Sequence, residues 1–511
     1  MSVHQFTDIR IPIDCANPSI VRNEEICIRC GACRRVCERE VAVGRLYDMD
    51  STGDIPICVH CGQCANVCPP DSITEVYEYH DVKKAIADPG KVVIFNTSPS
   101  VRVGLGESFG LAPGAFVEGK MVASLRALGA DYVLDTNFSA DLTIMEEAAE
   151  LVKRIIKKTK PLPQFTSCCP AWVKFMETFF PAVLPHVSTV KSPIGMQGPT
   201  VKTYFAKQSG IDPKQIVNVA VTPCTAKKFE IRREEMKDAS QELNIAGMRD
   251  MDHVITTREL ALWLKEEGID FLDLPDSDFD RLMGAASGGG VIFGNTGGVM
   301  EAAARTAYFN VTGKNPGEDF LNLRSVRGMD GIRSAVIDIA GTTLRVAVIH
   351  GIDNAKKVVE DVISGRRTYD FIEVMACRGG CIGGGGQPKT TIPLDDEIRK
   401  SRIEAIYKKD SGMALRFCHE NPDIIAVYKE WYEKPLSPRS ERLLHTVYHS
   451  RVNDLGPKGI VEKQLLTDVK YRCDVCGYEY PGSKDEFGQL HDEYVCPVCK
   501  APKSRFSLFA K

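Results

Sequence analysis

Nineteen cysteines in a chain of 511 residues narrow the choices more than any other feature. The count is odd, and most fall in CxxC-type runs. The start, MSVHQFTDIRIPIDC, has no basic stretch leading into an apolar one, as a secretory signal would. A cytoplasmic chain with this cysteine pattern is expected to hold metal rather than disulfides, because thiolates are the soft ligands of iron–sulfur clusters and zinc. The remainder is ordinary globular composition, with 43% hydrophobic and 26% charged residues, which excludes a mostly disordered chain or a rod. Sixty-four basic against 68 acidic residues, with no basic block, argues against nucleic acid as a partner. No stretch reaches the ~18 uncharged apolar residues of a membrane span.

Two runs near the front repeat one spacing. Cys27-x2-Cys30-x2-Cys33-x3-Cys37 is followed by Cys58-x2-Cys61-x2-Cys64-x3-Cys68-Pro69. This is the two-cluster pattern of bacterial ferredoxins, in which the fourth cysteine of each run ligates the other cluster. One 4Fe–4S cluster is expected on Cys27, Cys30, Cys33 and Cys68, the second on Cys58, Cys61, Cys64 and Cys37. Paired zinc knuckles rarely use the duplicated spacing. Gly31 and Gly62 allow the backbone to wrap each cluster closely. The other end carries Cys473-x2-Cys476 and Cys496-x2-Cys499, a spacing that suits four tetrahedral thiolates around zinc or one iron. The CGY start, the CPxC finish, Tyr480 and Phe506 resemble rubredoxin and favour iron, although Lys500 replaces a common Gly.

The centre reads as α/β. KVVIFN (91–96), DYVLD (131–135), IVNVAVTP (216–223), VAVIHG (346–351) and FIEVMA (371–376) have the Val/Ile richness of buried strands. A helix is expected over 141–158, capped by Asp141, with Leu142, Met145, Ala149, Val152 and Ile156 on its apolar face. Three segments, TSCCPAW (166–172), TPCTAKKFE (222–230) and EVMACRGGC (373–381) with its trailing IGGGGQP, each follow a strand-like run. Such positions are where α/β proteins place their sites. Together they supply four thiolates for a third cubane, Cys377 and Cys381 being one helical turn apart. Of the adjacent pair Cys168 and Cys169, one thiol is left free.

These three segments, in this order and with the glycine run, resemble the signature motifs of the iron–iron hydrogenases. The resemblance covers residues from about 20 to about 450. It implies a multidomain α/β architecture. A two-cluster ferredoxin-like domain (1–85) precedes the hydrogenase catalytic domain (90–395) and a small-subunit-like helical segment (396–452). A linker (453–468) and a rubredoxin-like domain (469–511) follow. It further implies reversible oxidation of H2 at an H-cluster, whose 4Fe–4S part sits on Cys169, Cys224, Cys377 and Cys381. Cys381 would bridge to a two-iron subsite carrying carbon monoxide, cyanide and an azadithiolate. Lys227 and Ser100, after Pro99, would hydrogen-bond the cyanides, which as buried anions need a donor or cation. Pro193, Phe293 and Met375 would line the pocket. Protons would pass through Cys168, Glu147, Ser188 and Glu150, the two carboxylates sharing a helix face at i, i+3. The implied partners are a ferredoxin or a rubredoxin-linked acceptor, and the dedicated maturation proteins that build the two-iron unit.

Thr222 departs from the usual Met, and Ser192-Pro193-Ile194-Gly195-Met196 lacks the Gln usual after that Pro; neither change removes a ligand. Two rival readings are an iron–sulfur scaffold lacking the two-iron subsite and a slow hydrogen sensor. Cys15 and Cys418 read as structural thiols. His60 reads as a packing or solvent-facing residue. His419, His445 and His449 have no ligand partner at a telling spacing.

Overall fold

The structure is a computed structural model that describes residues 9–457, 459, 469–473, 475–482, 484–491 and 493–510. At the front, β1 (Ile20–Arg22) and β2 (Ile73–Glu75) pair antiparallel, and the helices Ala32–Arg39 and Gln63–Asn66 lie between them in sequence. Each helix starts immediately after a glycine in the left-handed region, Gly31 at φ 71° and Gly62 at φ 70°. The sequence repeat is thus a repeat of backbone shape, and glycine reaches that shape without a Cβ penalty.

The strands that follow are β3 (Val92–Thr97), β4 (Tyr132–Asp135), β5 (Gln164–Phe165), β6 (Ile216–Thr222), β7 (His253–Thr256), β8 (Ile332–Ile339), β9 (Thr342–His350), β10 (Phe371–Met375), β11 (Val469–Cys473) and β12 (Phe506–Ala510). One four-stranded sheet has the order β4-β3-β6-β7 and is parallel throughout. A second has the order β5-β10-β9-β8, parallel except for the β8–β9 hairpin. Ile94 and Phe95 of β3, Val219 to Val221 of β6 and Val346 to Ile349 of β9 are buried. Runs of this kind mark strands covered on both faces.

The long helix Thr136–Lys157 starts five residues before the expected position. Its cap is Asp135, whose side chain accepts from the Asn137 N–H. Asp141 lies inside the helix, buried, accepting from the Ser287 hydroxyl at 2.6 Å and from Asn421 at 2.7 Å. The expected apolar face also needs correction. It runs from buried Leu142 out to Ile156, which is 69% exposed. The helix is instead enclosed on most sides, and the interior side carries Glu146, Glu147, Glu150 and Arg154.

From 396 the chain is mainly helical, as expected, beginning with Asp396–Gly412. It returns to the catalytic domain where the backbone of 444–446 bonds to that of 189–191. Lys191 N–H donates to Leu444 O at 2.9 Å and Thr446 N–H to Thr189 O at 2.7 Å. Most of the expected linker, residues 458 and 460–468, lies outside the described residues. Strands β11 and β12 then pair antiparallel, with Cys473 opposite Phe506.

Candidate metal and redox site

Strands β3, β5, β6 and β10 all deliver their C-terminal ends to one cavity between the two sheets. Its walls include Pro99, Ser100, Cys168, Cys169, Pro193, Thr222, Cys224, Lys227, Phe293, Met375, Cys377 and Cys381. The three cysteine motifs, some 200 residues apart at the extremes, therefore meet, together with every pocket residue named from the sequence. Sequence reasoning did not find Ser98, Thr136, Ala140 and Gly294, which also line it. These are small or apolar residues with no signature of their own.

Cys377 and Cys381 do not share a helical turn. After β10 the chain makes a tight reversal through Gly379 (φ 79°) and Gly380 (φ 93°) into a 3-10 turn at Cys381–Gly383. Helical dihedrals are closed to a reversal of this kind, and glycine at two consecutive positions opens the left-handed region instead. Burial pushes the thiols of Cys224, Cys377 and Cys381 upward, Cys224 to about 12. Cys169 accepts from the Ala376 N–H at 3.4 Å, and Gln63 Nε2, from the ferredoxin-like domain, lies 3.2 Å from Cys377 Sγ. A donor aimed at a sulfur tunes any cluster that sulfur binds.

Lys227 is buried, with Nζ donating to Glu230 Oε2 at 2.7 Å and to Cys168 O at 3.1 Å. Burial alone would lower its pKa; Glu230 and Cys224 raise it, so the ammonium stays charged inside an apolar pocket. Glu230 was not singled out from the sequence, although it stands three residues after Lys227.

Behind Cys168 stand two buried carboxyls, Glu147 and Glu150. Burial, then the charge on Glu150, pushes Glu147 to about 8. Its Oε2 is buried without a hydrogen-bond partner among the described residues. Glu150 is pulled the other way. Burial would raise it, but Arg154 and Lys160 bring it to about 2, with Arg154 Nη2 donating to its Oε1 at 2.7 Å. The Ser188 hydroxyl donates to Glu150 Oε2 at 3.0 Å. The solvated-surface reading available for a lone Glu is excluded for both.

In the front domain, burial pushes the thiols of Cys37, Cys61 and Cys64 upward, helped by the charges of neighbouring cysteines, Cys58 and Cys33 among them. The His60 N–H lies 3.3 Å from Cys58 Sγ and the Ile73 N–H 3.4 Å from Cys68 Sγ. His60 itself is packed, stacked on Phe229 with ring centroids 4.5 Å apart. At the far end, the sulfurs of Cys473, Cys476, Cys496 and Cys499 all lie within 4.8 Å of one another. Phe487 and Phe506 close the small core beneath them.

The model for the iron only hydrogenase large subunit, C-terminal domain, matches residues 91–385. The chain belongs to the iron-only hydrogenase family. The iron hydrogenase small subunit model matches 396–451, and a 4Fe-4S dicluster domain model matches 19–69. The NADP-reducing hydrogenase subunit HndD of Solidesulfovibrio fructosivorans is 45% identical over 85% of this chain and 75% of its own length. The periplasmic Fe hydrogenase large subunit of Nitratidesulfovibrio vulgaris is 47% identical over 77% of this chain and 92% of its own. A cytosolic iron-sulfur assembly component of Bos taurus is 34% identical over 72% of this chain and 76% of its own. Among solved structures, an FeFe-hydrogenase studied for stepwise H-cluster assembly superposes with a TM-score of 0.64 at 40% identity, covering 73% of this chain and 99% of that one. The catalytic fold is that of the FeFe hydrogenases, carried behind a ferredoxin-like domain, and the chain is an iron–sulfur protein. Among the described residues, no helix is long and apolar enough to cross a membrane.

Proposed function

We propose that this chain interconverts H2 with protons and electrons, and that the cavity at the strand ends holds the H-cluster. One observation carries this reading. Four thiols, a fifth thiol on the proton side and a buried ammonium face a single apolar cavity whose glycine rim leaves room for a bulky inorganic group. A Cβ at Gly384 would come within 2.3 Å of Pro223 O, and one at Gly380 within 2.5 Å of Thr296 N, so the rim admits no side chain. The donor set fits the group.

Cys169, Cys224, Cys377 and Cys381 would hold the cubane, and Cys381 is the thiol that would also serve the two-iron subsite. When bound, the two-iron subsite supplies an open metal position for H2 and a neighbouring base. Lys227, kept charged by Glu230, would offer its ammonium to an anionic cyanide, and Ser100 also lines the cavity. Phe293, Met375 and Pro193 exclude water. Cys168 passes a proton to the unpartnered Oε2 of Glu147, Ser188 forwards it, and Glu150 carries it outward. The eight front cysteines would hold two 4Fe–4S clusters, with Gln63 reaching from that domain to Cys377. The four C-terminal thiols would hold one iron, giving a higher-potential acceptor that favours H2 oxidation towards a rubredoxin-type partner.

Infrared spectroscopy of the anaerobically matured full chain, run with H2 uptake and evolution assays, tests this. Bands from bound CO and cyanide together with turnover are expected. Iron–sulfur absorption without those bands or gas exchange would overturn the reading in favour of an assembly role, as the name of the bovine relative describes for that protein. Bands with only residual turnover would indicate a sensor. Zinc in the C-terminal site, by metal analysis, would remove the proposed direction.

A further inference from the structure

Beyond Glu150 the polar chain does not stop. Glu150 Oε2 also receives the Thr189 hydroxyl at 3.2 Å, and Thr189 Oγ1 lies 2.9 Å from His445 Nδ1. His445 Nε2 in turn lies 3.1 Å from Oε2 of Glu146, a fully buried carboxyl that the proposed relay does not use. Glu146 is otherwise held by the Tyr428 hydroxyl at 2.7 Å and the Leu436 N–H at 2.8 Å. The backbone pairing of 189–191 with 444–446 fixes Thr189 against His445, and the imidazole keeps 9% of its surface in water.

Counting protons shows what this arrangement can do. Thr189 has one hydroxyl proton and two acceptors facing it, Glu150 and His445. A neutral imidazole has one N–H, and both of its nitrogens face oxygen acceptors. The two protonation states of His445 differ by one contact. With His445 neutral, Nε2–H donates to Glu146, Thr189 donates to Nδ1, and Glu150 loses that donor. With His445 as imidazolium, Nδ1–H donates to Thr189, and the freed Thr189 hydroxyl donates to Glu150. The groups facing His445 are Glu146 on the long helix, Tyr428 beyond it, and Glu150 through Thr189, the last with Arg154 and Lys160 at its other oxygen.

We infer that Thr189 and His445 form an outer proton-exchange station for the relay, with Glu146 as its positioning carboxylate. The step balances. The Glu150 carboxyl gives a proton to Thr189 Oγ1 as the Thr189 hydroxyl proton passes to His445 Nδ1, leaving a carboxylate and an imidazolium with no other change. The reoriented Thr189 hydroxyl then stabilises the carboxylate it has just deprotonated, and His445 releases its proton to water. Arg154 holds Glu150 strongly acidic, so a carrier able to take the proton from it at once has a use at this position. Spacing could not reveal the station, because its members come from three separate segments.

This inference rests on the proposed hydrogenase function, and the test separates the two. The full chain, matured and labelled at histidine Cε1, is compared with its Thr189→Val and His445→Phe variants by NMR titration and by H2-oxidation rate against pH. Thr189→Val is expected to move the His445 midpoint. It should also cut H2 oxidation by about tenfold above that midpoint and much less below it, with CO and cyanide bands and unfolding midpoint unchanged. His445→Phe should show the same pH-selective loss. Rate profiles parallel to wild type in both variants, or a His445 midpoint indifferent to Thr189→Val, would overturn the station. If the bands and turnover are missing from the parent chain, the hydrogenase reading has failed, and the titration arm alone decides whether Thr189 and His445 exchange a proton.

Discussion

The central cavity and the C-terminal cysteine quartet each gather four thiols, and they do so by opposite means. In the cavity the thiols arrive on loops after β5, β6 and β10, are buried, and are pushed upward by that burial. In the quartet they sit on two short knuckles with sulfurs already within 4.8 Å, and their mutual hydrogen bonds split the thiols, Cys496 falling to about 7 while Cys476 rises to about 12. Metal binding needs thiolates and releases their protons. The quartet therefore already gathers its sulfurs around one point, whereas the cavity arranges its four thiols around a space for a larger group. A thiol count alone does not distinguish a site for one ion from a site for a bulky group.

The sharpest way to break this contrast is to remove one thiol from each side. Cys381→Ser is expected to abolish the CO and cyanide bands and turnover, while Cys499→Ser leaves those bands intact and removes only the visible spectrum of the C-terminal iron. Loss of the bands in both variants would show that the two sites are not independent. Next in size, Cys168→Ala should keep the bands but lower turnover by about a hundredfold or more, the range for a positioned acid–base group, read by H2 uptake.

The relay carboxyls give smaller effects of opposite sign. Glu147 has a folded pKa of about 8, above its unfolded value, so folding is penalised increasingly as pH rises from about 4.5 to 8. Glu147→Gln should thus gain stability over wild type by up to about 4 kcal/mol at pH 8, with the gain vanishing at pH 4. Glu150, depressed to about 2, stabilises the fold above its unfolded value and loses that contribution as pH falls from about 4.5 to 2. Glu150→Gln should cost about 3 kcal/mol at pH 7, seen as a lower urea midpoint. Removal of residues 458–511 has the smallest expected effect: unchanged infrared bands, and electron delivery to a rubredoxin-type acceptor reduced by a small factor.

Much of the site was legible because its chemistry is written in cysteine spacing and in strands covered on both faces. β3, β4, β6, β9 and β10 all coincide with apolar runs. β8 did not announce itself, since this edge strand interrupts its apolar residues with Arg333, Ser334 and Asp338 and leaves Val336 69% exposed. The start of the long helix escaped because Thr136, Asn137 and Ser139 are polar yet buried, which no apolar periodicity can signal. The same inversion hid Glu146. A carboxylate inside a helix reads as surface until Tyr428 and His445, almost 300 residues away in the chain, are folded onto it.

One contact between domains has consequences for how current leaves the protein. A Cβ on Gly385 would fall 2.2 Å from Cys61 O and 2.7 Å from the Gly62 Cα, and one on Gly62 would fall 2.4 Å from Thr225 Oγ1. The loop of the second front run thus touches the catalytic loop main chain to main chain at Gly385, with the Thr225 side chain seated against Gly62. Tunnelling falls steeply with separation, so the missing methyl group at Gly385 keeps this junction short. Alanine there would act as a spacer in the wiring, slowing transfer between domains.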